Sequence, residues 1–495
     1  MLVHRPHSAP SGPARAVRLG TAVVFIVSFM TWGIASSAWS QSAKLPLLAK
    51  SPVSNSVLMA RAIRSGAVKL HASGAPASPS VTVLPNVKAS TGSQPVDEDP
   101  IAADPSNGQH LETAGNDYNC SSLQGVYNSD NGGSTWRHQC VPVVGAGGCG
   151  DPNVAYDLNG VNYFLGIGNC NGSTGSMVIE SSANNGVSWN PIHTAFGSLL
   201  GGLVDKPWTE ADTNSGSPFK NCLYTSWTDF NSSFTQTRAS VAHSCDGGGT
   251  WTRVAVDSTQ TVPKIDQFTD LAIGSGGTVY LTWAYCKTSG SAGDCGNTAA
   301  DIKFSKSTDG GNTWTSPSVV TTVQMTPDNC GGYYGCFPGS SERLSNIPSI
   351  DVNKLDGSLH VAVYTDTGGT ARVEETHSTN GGTSWSAPQQ VLAFAGNEGW
   401  QWLSVSSTGT IGVSFFHSGA SNNYLEVGAF STDGGATWPT KAKISSTVAH
   451  FSNDGFSGTF IGDYTGGIWV GGTLHTSWMD ARTAPSVDMT GGATP

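Results

Sequence analysis

One eight-residue pattern occurs six times in this chain: Ser, any residue, Asp or Asn, any residue, Gly, any residue, Thr or Ser, Trp. The copies open at Ser129, Ser182, Ser244, Ser307, Ser378 and Ser431 and close at Trp136, Trp189, Trp251, Trp314, Trp385 and Trp438. A repeat of this period marks an array of similar supersecondary units rather than one ordinary core. The third position (Asn131, Asn184, Asp246, Asp309, Asn380, Asp433) suits a side chain that folds back onto backbone N–H groups and holds a tight turn. The fifth is always Gly, which takes positive φ at little cost. The closing Trp is expected to start the next strand and bury its ring between neighbouring sheets. Each copy therefore reads as a hairpin turn with an aromatic anchor, a structural device rather than a catalytic one.

The pattern resembles the Asp-box, or BNR, repeat. That resemblance covers about residues 96–482 and implies an all-β fold, a β-propeller of four-stranded blades. Sialidases are the best-known enzymes of this kind, and non-catalytic binding proteins share the scaffold, so activity has to be argued from the site. Apolar inner-strand segments read at Pro100–Ala103, Pro152–Tyr156, Pro207–Ala211, Phe268–Ile273, Ile347–Val352, Trp400–Val405 and Phe460–Tyr464. These are seven units against six boxes, so seven blades are expected, with six as the alternative. The seventh lacks an outer strand, which the segment near Val81–Val87 is placed to supply, protecting sheet edges.

The N-terminus carries Arg5, Arg15 and Arg18 and then an uncharged apolar run from Leu19 to about Ala38. Residues 1–40 read as a signal peptide, with no membrane span after cleavage. Residues 41–95, rich in Ala, Ser, Pro and Val, read as a flexible leader, and residues 96–495 as the propeller. Ten cysteines lie between Cys120 and Cys336. An even count behind a signal peptide indicates disulfides and a secreted or periplasmic protein. Neighbour pairing would join Cys120 with Cys140, Cys149 with Cys170, Cys222 with Cys245, Cys286 with Cys295 and Cys330 with Cys336, although order alone does not establish it. No Cys-x-x-Cys or His-Glu-x-x-His spacing occurs, so neither metal nor cofactor is expected. A net charge of −11 with 12% charged residues argues against a nucleic-acid partner and leaves a glycan or polysaccharide. Oligomeric state is not legible.

In a propeller whose inner strands all run the same way, the turns between third and fourth strands lie on one face. The inner-strand starts and the inter-blade loops lie on the other, which is the expected ligand face. It would carry Asp151, Asp205 and Asp266 as candidate proton donors and Tyr464 as nucleophile or stabiliser, by resemblance to the sialidase Tyr. Arg343, Arg372 and Arg482 would hold an anionic group on the sugar, since guanidinium binds carboxylate bidentately. Trp208, Tyr334 and Trp400 would form its aromatic lining. The sialidase Arg-Ile-Pro motif is absent, and Asp97-Glu98-Asp99-Pro100-Ile101 stands near its place. The expected function is a sialidase-like glycoside hydrolase. The alternatives are a non-catalytic glycan- or protein-binding propeller and a polysaccharide lyase or endo-glucanase on the same scaffold.

Overall fold

The computed structural model describes residues 82–287, 295–328, 330, 335–419 and 422–495. The segment read as a signal peptide lies outside them, as do most of the leader and Tyr334. Among the described residues the strands form seven antiparallel runs of four, and the only helical element is the short 3-10 turn Phe451–Asn453. Among the described residues no helix is long and apolar enough to cross a membrane. The inner strands are Ile101–Ala103, Gly150–Tyr156, Gly201–Ala211, Ile265–Ile273, Ser349–Val352, Asn397–Val405 and Gly466–Val470. Each lies against the inner strand of the next run, and the seventh lies against the first. The last run takes its fourth strand from the N-terminal segment: Val87–Lys88 pairs antiparallel with Val487–Ala493, Val87 opposite Thr490.

Every eight-residue turn begins on the last residue of a third strand: Ser129, Ser182, Ser244, Ser307, Ser378 and Ser431. The bonding inside each copy explains the residue types. The Ser Oγ accepts the N–H of the Gly four residues on (Ser129–Gly133 2.9 Å, Ser307–Gly311 2.9 Å). The Asp or Asn Oδ1 accepts the N–H of the seventh residue (Asn131–Thr135 2.9 Å, Asp309–Thr313 2.9 Å). In the three Asp copies a Thr hydroxyl also donates to the carboxylate, and these bonds hold Asp246, Asp309 and Asp433 down at about 2. The Trp rings reach the preceding unit. Trp251 lies 5.2 Å from Phe196, Trp385 lies 5.4 Å from Phe304, and Trp136 Nε1 donates to Thr490 Oγ1 at 3.0 Å. Trp438 is buried and the other five are half-buried.

Glycine is required in these turns by space as well as by φ. Gly382 has φ +83°, and a Cβ there would stand 2.2 Å from Phe304 Cε1 in the preceding unit. Gly382→Ala is therefore expected to cost about 2–3 kcal/mol, from left-handed strain plus overpacking. The midpoint of urea unfolding with disulfides intact measures it, and an unchanged midpoint would refute the packing role.

All five neighbour disulfides are present: Cys120–Cys140, Cys149–Cys170, Cys222–Cys245, Cys286–Cys295 and Cys330–Cys336. One expectation is corrected. The seventh inner strand is Gly466–Val470, not Phe460–Tyr464. The apolar Phe460 and Ile461 belong instead to a buried loop wound around Asp454, whose carboxylate accepts the N–H groups of Phe456, Gly458, Thr459 and Phe460 at 2.7–3.2 Å. Backbone bonds satisfied by one carboxylate compete with strand pairing here and win.

Candidate functional site

The inner strands begin with a shared irregularity. Glu98, Asp151, Lys206, Phe268 and Trp400 all have left-handed φ, between 44° and 63°, and Gly462 has φ 101°. Register shifts fall at Gly150/Asn153, Asp205/Trp208, Gln267/Asp270 and Gly399/Trp402. These are bulges, which re-aim side chains at the ends of strands. They let one unit bond to the next. Asp151 Oδ2 accepts the Lys206 N–H at 2.7 Å, and the Asp151 N–H donates to Asn116 Oδ1 at 2.8 Å. The Asn116 amide donates to Asp97 and Glu98 (2.8 and 2.9 Å), and Glu98 Oε1 accepts the Asp463 N–H at 3.0 Å.

Lys206 stands at the centre of this network, fully buried. Its ammonium sits 4.3 Å from the Trp208 ring centre, 4.6 Å from Tyr464 and 5.2 Å from Trp402, and Nζ has no hydrogen-bond partner. Desolvation pushes it down to about 8, against the carboxylates of Asp270, Asp151, Glu98 and Asp463, which favour its charge. Three aromatic faces partly replace its lost hydration. A sequence reading that ranks arginines and acids passes over this lysine. Its one sequence signal is the place of Asp205-Lys206-Pro207-Trp208 at the start of an inner strand.

The candidates from sequence are distributed as follows. Tyr464 is buried and its hydroxyl donates to Pro152 O at 2.8 Å. Burial, with Glu98 and Asp151 nearby, pushes that hydroxyl well above its ordinary range. Asp151 is likewise pushed well up by burial, then by Glu98 and Asp205. Asp205 accepts the Gln267 amide at 2.7 Å. Asp266 is held by its own unit and the one before it: Trp283 Nε1 donates to it at 3.0 Å, Lys303 lies 3.7 Å away and the Ala239 N–H donates to it at 3.4 Å. Burial lifts it to about 8. The arginines hold three different carboxylates: Arg343 with Asp463 (3.2 Å), Arg372 with Glu398 (3.2 Å) and Arg482 with Asp480 (2.7 Å). Trp208 stacks at 4.0 Å on Trp402, whereas Trp400 is buried against Phe337, Phe416 and Phe451. The structure thus brings Tyr464, Asp151 and Trp208 together around Lys206, and ties Asp266, Arg372 and Arg482 into separate partnerships.

Beyond Trp208 and Trp402 the axis opens into a funnel of about 700 Å³, to which all seven inner strands contribute. Its walls are the C-terminal halves of those strands, so its mouth lies at the end that carries the eight-residue turns, opposite the end where a ligand was expected. Trp208, Trp402 and Trp469 line it together with Glu210, Asp270, Asp351 and, at the rim, Lys354. Asp351 is anchored by the N–H groups of Val352 and Val405, both at 2.7 Å. Asp270 is anchored by Leu271 and Ile350, both at 2.8 Å, and lifted to about 7 by burial. Half-buried Glu210 is lifted to about 8 by desolvation first and by Asp351 next, with Lys354 opposing. Burial raises Asp351 as well, with the Val405 and Val352 N–H bonds opposing, so at neutral pH the funnel wall offers a protonated Glu210 near a second carboxyl whose charged form accepts two N–H bonds. Glu210, Asp351 and Trp469 carry no motif that marks them in the sequence, because they sit at the far ends of inner strands.

No family model matches this chain, and no curated protein matches it. Solved structures do. An ulvan lyase from a new family of polysaccharide lyases, bound to -[GlcA(1-4)Rha3S]-, aligns with 10% identity over 82% of this chain and 97% of its own, at a TM-score of 0.50. A Hadza microbial sialidase aligns with 13% identity over 78% of this chain and 73% of its own (TM-score 0.42). An α-L-arabinofuranosidase from Fusarium graminearum aligns with 12% identity over 69% and 92% (TM-score 0.41). The likeness to the lyase shows the fold, an all-β propeller.

Proposed function

We propose that this chain is a secreted, seven-bladed Asp-box propeller that takes the end of a glycan into its axial funnel and cleaves a glycosidic bond there. The carrying observation is the funnel itself: about 700 Å³, lined by three tryptophans and by the carboxyls Glu210 and Asp351. Flat indole faces suit the apolar faces of sugar rings, and a concave, mostly apolar site with a few convergent polar groups is the usual form of a small-ligand site. Two neighbouring carboxyls, one of them held protonated at neutral pH, suit a proton donor and a base. Glu210, held protonated, is assigned the donor role and Asp351 the base.

The test is a panel of neutral, uronate-containing and sialylated oligosaccharides, scored separately for binding and for new reducing ends. Glu210→Gln is expected to lower turnover by about 10²–10⁴-fold with binding retained. Trp402→Ala is expected to weaken binding by about tenfold or more. Full turnover in Glu210→Gln would remove the assigned donor, and binding without turnover in the parent would make the chain a glycan-binding propeller.

The other end of the axis is the rival location. There Tyr464 would act as nucleophile with Asp151, Asp205 or Asp266 as donor and Arg343, Arg372 and Arg482 on a sugar carboxylate. It has less support, because the Tyr464 hydroxyl and each arginine already have protein partners. Loss of sialoside cleavage in Tyr464→Phe, with Glu210→Gln unaffected, would favour it.

A further inference from the structure

The fifth unit carries a donor set that neither end of the axis uses. His360 on Leu359–Asp366 stands directly opposite His377 on Ala371–Ser378, and Glu375 precedes His377 by two residues. Strand period and cross-strand pairing put all three on one face of the sheet. His360 Nδ1 lies 2.8 Å from Glu375 Oε1 and His377 Nδ1 lies 3.4 Å from Glu375 Oε2. One ligand atom from each of the three lies within 4.8 Å of the others. His360 and Glu375 are buried and His377 keeps 24% of its side chain exposed, so the cluster has one open side.

The outer bonding suits a metal-binding imidazole. The Ser358 hydroxyl donates to Asp356 Oδ1 at 2.7 Å, so its oxygen is left to accept from His360 Nε2, 3.0 Å away. That bond puts the hydrogen of a neutral His360 on Nε2. Nδ1 then faces Glu375 Oε1, 2.8 Å away, on the side where His377 also stands. Two ligands on one tetrahedral zinc ion lie about 3.4 Å apart, which is the His377–Glu375 spacing. The His360–Glu375 spacing reaches it with an opening of about 0.6 Å. The Asp356–Ser358–His360 relay supplies the outer support that orients metal-binding imidazoles.

We propose that His360, Glu375 and His377 bind one divalent transition-metal ion of the zinc class, with water on the exposed side. The ion braces a junction between units. Gly435, in the turn of the sixth unit, lies so close to Glu375 that a Cβ on it would stand 2.6 Å from Oε2. Fixing that carboxylate fixes the surface on which the next unit's turn rests. Every described cysteine is in a disulfide and does not compete.

The test uses the untagged, chelator-treated full chain titrated with Co²⁺ and then Zn²⁺. One Co²⁺ per chain is expected to give the visible absorption of a four-coordinate site, Zn²⁺ to displace it, Zn²⁺ to raise the melting temperature, and Ca²⁺ to do neither. His377→Ala, at the open side, and Glu375→Gln are expected to abolish the band while glycan binding persists. A parent protein with no band, or a band that survives in His377→Ala, overturns the proposal. The parent titration decides alone if a variant fails to fold.

Discussion

Arg343→Met is expected to destabilise the protein by about 3–5 kcal/mol, the usual cost of leaving one partner of a buried ion pair uncompensated. Arg343 is 2% exposed and Asp463 1%. Besides the 3.2 Å contact between them, Asp463 accepts the Ser345 hydroxyl at 2.6 Å. The pair joins the inter-unit loop before the fifth inner strand to the segment before the seventh, so its loss is felt across the axis. Removing both charges, in Arg343→Met with Asp463→Asn, is expected to recover much of the loss, because no buried charge is then stranded. Urea unfolding with disulfides intact gives the numbers. A single variant within about 1 kcal/mol of the parent would show that water already compensates Asp463.

The second large effect is an inverted dependence on pH. Burial lifts Asp266 and Glu210 to about 8, Asp270, Asp488 and Glu180 to about 7 and Asp454 to about 6. It also raises Asp97, Asp99, Glu112, Glu342 and Glu426 well above their ordinary values. Between about pH 4.5 and 8 the folded protein keeps protons that the unfolded chain has released. Stability therefore falls as pH rises through that window, by at most about 1.4 kcal/mol per pH unit for each carboxyl still protonated in the folded protein at that pH. Other groups oppose this or act elsewhere: His243 is lowered by burial, and, against burial, Asp104, Asp130, Asp356 and Glu375 are lowered by their hydrogen bonds. His475, held down at about 4, makes rising pH stabilising between 4 and 6.5. The turn aspartates, held at about 2, protect stability until the pH drops below 4. Lys206, at about 8, returns stability only above that value. The raised carboxyls outnumber them, so the unfolding midpoint is expected to be higher at pH 5.5 than at pH 8. Asp266→Asn should flatten the slope by about 1.4 kcal/mol per pH unit. Equal midpoints at the two pH values would show that the buried acids are not protonated in the folded state.

By itself the sequence determined the repeat and its register, and it offered the neighbour disulfide pairing that the structure shows. The reason is locality. In each turn a Ser hydroxyl, an Asp or Asn side chain and a Gly close their bonds within four residues (Ser431–Gly435 3.0 Å, Asp433–Thr437 2.9 Å), so residue types at fixed offsets are enough to read the conformation. The disulfides likewise close short stretches of 6 to 23 residues. The site depended on contacts of another range. Arg343 meets Asp463 across 120 positions, Tyr464 meets Pro152 across 312, and Glu98 meets the Asp463 N–H across 365. Arginines that look free to hold a sugar carboxylate, and a tyrosine that looks free to attack, have their partners decided by which units the fold makes neighbours. The bulges at the inner-strand starts and the funnel past Trp208 and Trp402 are also products of seven strands meeting around one axis. Only the tertiary structure could decide which end of that axis is buried and which is open, because burial is a property of the assembled strands and of no single one.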